Sequence, residues 1–308
     1  METNNNDSTN NETMEREFEY IYIYRPGAQG LIYRFNWRAF NFERMTNFST
    51  SFYPNEVALA DNRALAIHSS PVNMFEIIDL RNLARFNGPP PTVGNNGTEW
   101  HTFGFAVFYD AIFNYIGSHL EHNNNDSRKL IFNFNNGGFW DGERCSGLHI
   151  CSPYFCPIVH FDKLYVINAQ NRRLYKIIND RGSFELIYEY DTQEDQYPHM
   201  GVAVVSHIGD VWLIGGTDGI NVYETCQMFT SDLLVNGIIT DQDLRGPKLN
   251  FPRCYHTLVI ANSKLYVVGG YTAMTPNGPV NFCRQVEVYN SETNLWEFVG
   301  DFPDPIAP

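Results

Sequence analysis

The sequence predicts an all-β chain built from about six copies of one four-stranded antiparallel unit. Three observations carry this. Residues 251–302 hold short β-rich runs at 256–260, 264–269, 285–289 and 295–299, and the turn signals Ala261-Asn262-Ser263 and Thr275-Pro276-Asn277-Gly278 divide them. The same signals recur upstream: Pro198 and Pro252, like Gly215 and Gly269, are separated by 54 positions (252 − 198 and 269 − 215). Long segments of 3.6-residue periodicity free of Gly, Pro and Asn are absent, which disfavours helices. A single such unit is apolar on both faces and is stable only against a neighbour, so repetition is a physical requirement.

The order of signals in 251–302 is Pro-Arg, then Leu-Tyr-Val-Val-Gly-Gly, then Val-Glu-Val-Tyr, then Asn-x-Trp. It resembles a kelch repeat. Val-Trp-Leu-Ile-Gly-Gly at 211–216 stands where Leu-Tyr-Val-Val-Gly-Gly stands later. The resemblance implies a single β-propeller over 17–308, each repeat being one blade. It is strongest over 198–299 and graded over 17–190. Two glycines after a strand let the chain turn sharply where blade edges converge.

In chain order, 1–16 is Asn-rich, polar and nearly free of apolar side chains, so it is expected to be a disordered leader. A first unit follows with three visible strands, at 18–24, 31–37 and 40–45. The second has runs at 57–60, 64–68, 74–79 and 83–86, and Pro89-Pro90-Pro91 opens a long connection. The third is read at 103–109, 112–117, 129–134 and 139–140, with 119–126 as an extended polar loop. In the fourth, at 157–190, Asn168-Ala169 replaces the glycine pair. The fifth and sixth begin at Pro198 and Pro252. In kelch propellers a strand from the other terminus usually completes the first blade; here either residues near 15–18 supply it or side-chain packing closes the ring.

A ring of blades makes one domain of 308 residues, and 15% aromatic with only 18% charged residues suits many short, doubly covered strands. The net charge of −14 and a pI near 5.0 argue against nucleic acid and anionic membrane, which require clustered Lys and Arg, and favour a basic or neutral protein surface. With no secretory signal and no run of 18 apolar residues, the expected location is the cytoplasm, with the nucleus as the alternative. The six cysteines are then expected reduced.

Two clusters carry residues capable of chemistry. Cys145, His149, Cys151, Cys156 and His160 crowd one stretch, but their spacings do not form the paired short intervals of zinc sites, and buried reduced thiols are the simpler reading. His119, Glu121 and His122 adjoin Asn123-Asn124-Asn125, which favours a solvated loop. Some kelch-like propellers are copper-radical sugar oxidases, yet no segment matches their crosslinked tyrosine and cysteine with histidine ligands. No catalytic constellation, metal or cofactor is therefore assigned. Trp212 and Trp296 are expected to pack between blades.

The resemblance also implies a binding mouth. In kelch propellers that act as protein receptors, loops after the glycine pair and the starts of first strands form one end of the ring. By motif position this points to Tyr271, Thr272 and Ala273, to Thr217 and Asp218, to Arg253 and Tyr255, and to His199. A weaker alignment adds His119, His68, Gln170 and Arg25. The implied function is a protein-interaction module, a scaffold or substrate-recognition subunit, gripping a peptide or loop within a ubiquitin-ligase or cytoskeletal complex. The dimerising domain of cullin-dependent adaptors is not seen before the propeller. The alternatives are a propeller enzyme acting on a sugar-like or glucosinolate-like molecule, and an actin-binding kelch protein.

Overall fold

Runs of β-branched and aromatic residues broken by Asn, Asp, Gly and Ser become short antiparallel strands joined by tight turns. The computed structural model describes residues 20–25, 31–36, 39, 41–48, 56–60, 63–68, 74–88, 104–109, 112–121, 124–132, 141–145, 155–169, 173–178, 183–189, 200–231, 234 and 246–301. All named elements among them are strands.

The first sheet is β1 (Tyr20–Arg25), β2 (Leu31–Asn36) and β3 (Asn41–Asn47). The second is β4 (Glu56–Ala60), β5 (Arg63–His68), β6 (Met74–Asp79) and β7 (Arg85–Gly88). The third is β8 (Gly104–Tyr109), β9 (Ile112–Glu121), β10 (Asn124–Phe132) and β11 (Asp141–Cys145). The fourth is β12 (Phe155–His160), β13 (Lys163–Asn168), β14 (Arg173–Ile177) and β15 (Phe184–Glu189). The fifth is β16 (Ala203–His207), β17 (Asp210–Ile214) and β18 (Cys226–Phe229). The last contains β19 (Thr257–Ala261), β20 (Lys264–Val268), β23 (Gln285–Asn290) and β24 (Leu295–Asp301). Between β20 and β23 a separate hairpin is inserted, β21 (Tyr271–Thr275) with β22 (Gly278–Phe282).

Each sheet is a meander, and successive sheets lie face to face. On β13, Leu164 and Val166 pack toward Ile116 of the third sheet, whereas Tyr165 and Ile167 pack toward Val211 and Leu213 of the fifth. On β17 the alternation repeats: Val211 and Leu213 face the fourth sheet, while Trp212 and Ile214 face Leu265, Val267 and Trp296 of the last. A strand covered on both faces must be apolar at successive positions, which explains why these runs do not alternate. Ile32 and Phe48 likewise meet Ala64, Ala66 and Ile78 across the first two sheets. Arg85 strengthens that junction by bonding the buried Glu76 at 2.8 Å and the Asn47 carbonyl at 2.7 Å. First strands neighbour one another in sequence order, β4 with β8, β8 with β12, β12 with β16 and β16 with β19. That radial stacking is the β-propeller, in which each sheet is a blade.

Two expectations about local structure are corrected. Residues 119–121 and 124–126 of the polar stretch are not loop: β9 and β10 continue into it as a two-stranded ribbon, with His119 opposite Asp126 and Glu121 opposite Asn124. The ladder uses backbone groups alone, so polar side chains do not end it. The fourth strand of that sheet is described at 141–145, and the expected 139–140 lies outside the described residues. In the last blade, residues after the glycine pair form the β21–β22 hairpin, with Thr275 opposite Gly278. The leader 1–16 lies outside the described residues, as do His199, Gln170, His149 and Cys151.

Candidate protein-binding rim

The glycine pairs end β17 and β20 in the left-handed region, with φ of 61° and 109° at Gly215 and Gly216 and 71° and 88° at Gly269 and Gly270. A Cβ on Gly215 would lie 2.4 Å from the Arg253 carbonyl oxygen, and one on Gly270 2.6 Å from that of Cys254. Gly216 N–H donates to the Arg253 carbonyl at 2.8 Å, so the end of one blade's second strand is bonded to the entry of the next blade. In the fourth blade Asn168, the last residue of β13, and Ala169 are buried.

Arg253 anchors that entry from below. Its side chain is fully enclosed and donates to Glu287 Oε1 at 2.6 Å, to the Gln285 carbonyl at 2.9 Å and to the Gly269 carbonyl at 3.2 Å. Glu287, also enclosed, accepts in addition from Asn250 N–H at 2.7 Å and Asn250 Nδ2 at 2.9 Å. The expected outward, partner-facing Arg253 is thus corrected: a guanidinium at the blade's centre finds its carboxylate on β23 and supports the surface without forming it. Beside it His256 is buried, and neither ring nitrogen has a hydrogen-bond partner among the described residues. Burial, with the charge of Arg253 second, pushes its pKa down to about 3.

Above this floor, three elements are bridged in a row. Thr217 exchanges backbone hydrogen bonds with Met200 at 2.8 and 3.0 Å. Tyr255 N–H donates to the Gly201 carbonyl at 2.7 Å, and Cys254 and Tyr271 exchange bonds at 3.0 and 2.9 Å. The loop after Gly216, Tyr255 and the β21–β22 hairpin are therefore held side by side at the end of the strands where the glycine pairs lie.

Within the loop, Thr217 is fully buried; its hydroxyl donates to the Asn221 carbonyl at 2.6 Å and accepts from Gly219 N–H at 3.0 Å. It shapes the loop and offers no side chain to a partner, which corrects the expectation for it. The Asp218 carboxylate accepts from Asn221 N–H at 2.6 Å, Ile220 N–H at 2.8 Å and the Tyr223 hydroxyl at 2.6 Å. Burial opposes its charge, but the Tyr223 and Asn221 hydrogen bonds outweigh that and hold the carboxyl well below the usual range. These bonds raise Ile220 on the tip, 79% exposed. Tyr255 is 47% exposed at φ 54°. Tyr271 is half-buried edge-on to Phe282 with ring centroids 6.0 Å apart, and the Thr272 hydroxyl donates to the Asn281 carbonyl at 3.1 Å. Val280 of β22 is exposed.

The structure brings together Tyr255, Tyr271, Thr272 and Asp218. Arg25 ends β1 opposite Leu31, His68 ends β5 opposite Met74, and His119 lies in the β9–β10 ribbon. Ile220 and Val280 were missed. The available signal for Ile220 is one apolar residue inside Thr217-Asp218-Gly219-Ile220-Asn221, a sequence otherwise made of turn formers.

Comparison with known proteins agrees with this architecture. A kelch-motif model matches residues 252–303. Human Kelch-like protein 15 is 37% identical over 57 residues, 18% of this chain and 9% of that protein. Beta-scruin of Limulus polyphemus is 21% identical over 155 residues, 50% of this chain and 17% of that protein. An F-box/kelch-repeat protein of Arabidopsis thaliana is 30% identical over 105 residues, 34% of this chain and 26% of that protein. The matches thus span about a quarter or less of each relative's length. A solved fungal alcohol oxidase of the AA5 family, in complex with copper, superposes with a TM-score of 0.60 at 11% identity, covering 92% of this chain and 63% of that one. That likeness shows the fold alone. The motif and these relatives support the kelch-repeat family, and the fold is a β-propeller. No helix among the described residues is long and apolar enough to cross a membrane.

Proposed function

We propose that the chain is a protein-interaction module whose partner docks a peptide or loop on the rim formed by Ile220, Tyr255 and the β21–β22 hairpin. The observation that carries this is the row of backbone bridges, Thr217 to Met200, Gly201 to Tyr255 and Cys254 to Tyr271, which fixes three elements so that Ile220, Tyr255 and Val280 stay exposed. Rigid loops bearing apolar and aromatic side chains lose little entropy on binding, and such residues supply most interface energy. The net charge of −14 favours a basic or neutral partner surface. The kelch relatives support a protein-interaction or cytoskeletal role, and a substrate-recognition subunit or scaffold fits both.

The enzyme reading has less support. At 11% identity the copper-bound alcohol oxidase shares the fold alone and lends the enzyme reading no residue of this chain. Affinity purification tests the proposal. Ile220→Asp combined with Tyr255→Ala is expected to lose the proteins reproducibly recovered by the wild type while its unfolding midpoint holds. Retention of the whole set would refute the rim, and stoichiometric copper, iron or zinc in the purified protein would favour the enzyme.

A further inference from the structure

We propose that the mouth opposite the rim carries a second protein-docking surface, centred on Phe161 and Ile208, for a partner segment with an apolar anchor flanked by Lys or Arg. In the last three blades the turns joining the first and second strands lie at the opposite end of the strands from that where the glycine pairs stand. His160 pairs with Lys163, His207 with Asp210 and Ala261 with Lys264 around them. In the last three blades these turns adopt the same geometry, with φ of 45° and 55° at Phe161 and Asp162, 49° and 81° at Ile208 and Gly209, and 49° and 55° at Asn262 and Ser263.

Two consecutive left-handed residues suit Asn, Asp and Gly. The last blade meets that demand with Asn262. The fourth and fifth instead place Phe161 and Ile208 at the same position, where they are 66% and 68% exposed. A bulky or β-branched residue in this region is sterically disfavoured, and its exposed apolar surface is a further cost. Folding needs neither residue there, since Asn262 makes the same turn. Such outliers gather where strain serves recognition.

The two turns sit on neighbouring blades, tied by a 2.7 Å contact between His160 Nδ1 and Ser206 Oγ. The His160 ring supports that of Phe161, with centroids 4.3 Å apart. Charge selects the occupant. Asp162 follows Phe161 and Asp210 lies two residues after Ile208, while exposed Lys163 and Lys264 offset them beside the turns, so the net charge of −14 on the chain as a whole decides the sign. A basic flank on the partner is therefore favoured.

The test uses the full chain and two displayed peptide libraries, each with a central Phe or Leu, one flanked by Lys and Arg and the other by Asp and Glu. The wild type is expected to enrich the basic library about tenfold over the acidic one. Ile220→Asp with Tyr255→Ala should keep that enrichment, which separates this surface from the rim. Phe161→Asn with Ile208→Asn should lose it while raising Tm by a few degrees, because the turns then carry a residue that tolerates their φ. Equal or absent enrichment, retention by the Asn variant, or a fall in its Tm would overturn the proposal. So would self-association of the wild type that the Asn variant abolishes, since the occupant would then be a second copy.

Discussion

Arg253 and Glu287 form an ion pair at 2.6 Å with both side chains fully enclosed. The pair joins the entry of the last blade to its third strand, and the remaining guanidinium and carboxylate positions are taken by backbone groups and Asn250. Removing one partner strands a buried charge, at a cost of about 3–5 kcal/mol. Arg253→Ala and Glu287→Ala should each lower stability by this amount in urea titrations. The double variant should lose less than the two together, since the pair acts as a unit. Loss of partner binding by Arg253→Ala without loss of stability would show instead that Arg253 meets the partner directly.

Gly215→Ala should destabilise the fold by more than Gly278→Ala. Both positions have positive φ, but an added Cβ at Gly215 meets the Arg253 carbonyl at 2.4 Å, whereas at Gly278 nothing lies within 4 Å. Strain alone is worth about 1–3 kcal/mol, and the clash adds to it at Gly215 only. Thermal unfolding of the two variants checks the order.

Trp296 lies edge-on to Trp212 across the blade interface, with centroids 6.5 Å apart, and its Nε1 donates to the Pro247 carbonyl at 2.9 Å. Trp296→Ala should cost about 3–5 kcal/mol by opening a cavity between blades. Trp296→Phe keeps an aromatic ring and should cost less, though it leaves the Pro247 carbonyl without this donor. Denaturant midpoints at unchanged m separate the two.

The fold was legible wherever backbone conformation dictates residue type. The glycine pairs at 215–216 and 269–270 need positive φ, and the doubly apolar runs at 164–167 and 211–214 need two covered faces. The site was less legible because its geometry is made by contacts distant in sequence. Nothing near Arg253 reveals a carboxylate 34 residues later, so a charged residue at a blade entry reads as exposed. Thr217 reads as a surface polar residue until its hydroxyl is seen to bond Asn221 and Gly219. An isolated Ile220 has no periodicity to betray it, and the β9–β10 ribbon is invisible because Leu120 alone interrupts the polar residues of 118–127.

Stability should fall in mild acid. His256 is held neutral by burial, its pKa pushed from the ordinary 6.5 down to about 3. The unfolded chain takes up this proton first, so the contribution is full above about pH 6.5 and is lost as pH falls toward 3, by about 1.4 kcal/mol per pH unit. Burial lowers the pKa of His160 and His207 in the same direction, while it raises that of Asp210, which acts oppositely. His256→Gln should flatten the stability curve by about one proton in that window; an unchanged slope would mean His256 is not the group responsible.

The most direct measurement of the central claim is site-specific photo-crosslinking in the native cell, with the photoreactive residue placed at Ile220 on the rim or at Phe298 on the outermost strand of the last blade. A rim that binds protein gives discrete, reproducible crosslinked adducts from position 220 that are absent from position 298 and vanish when Tyr255→Ala is added. Adducts of the same identity and yield from both positions, or from neither, would contradict the assignment of the rim.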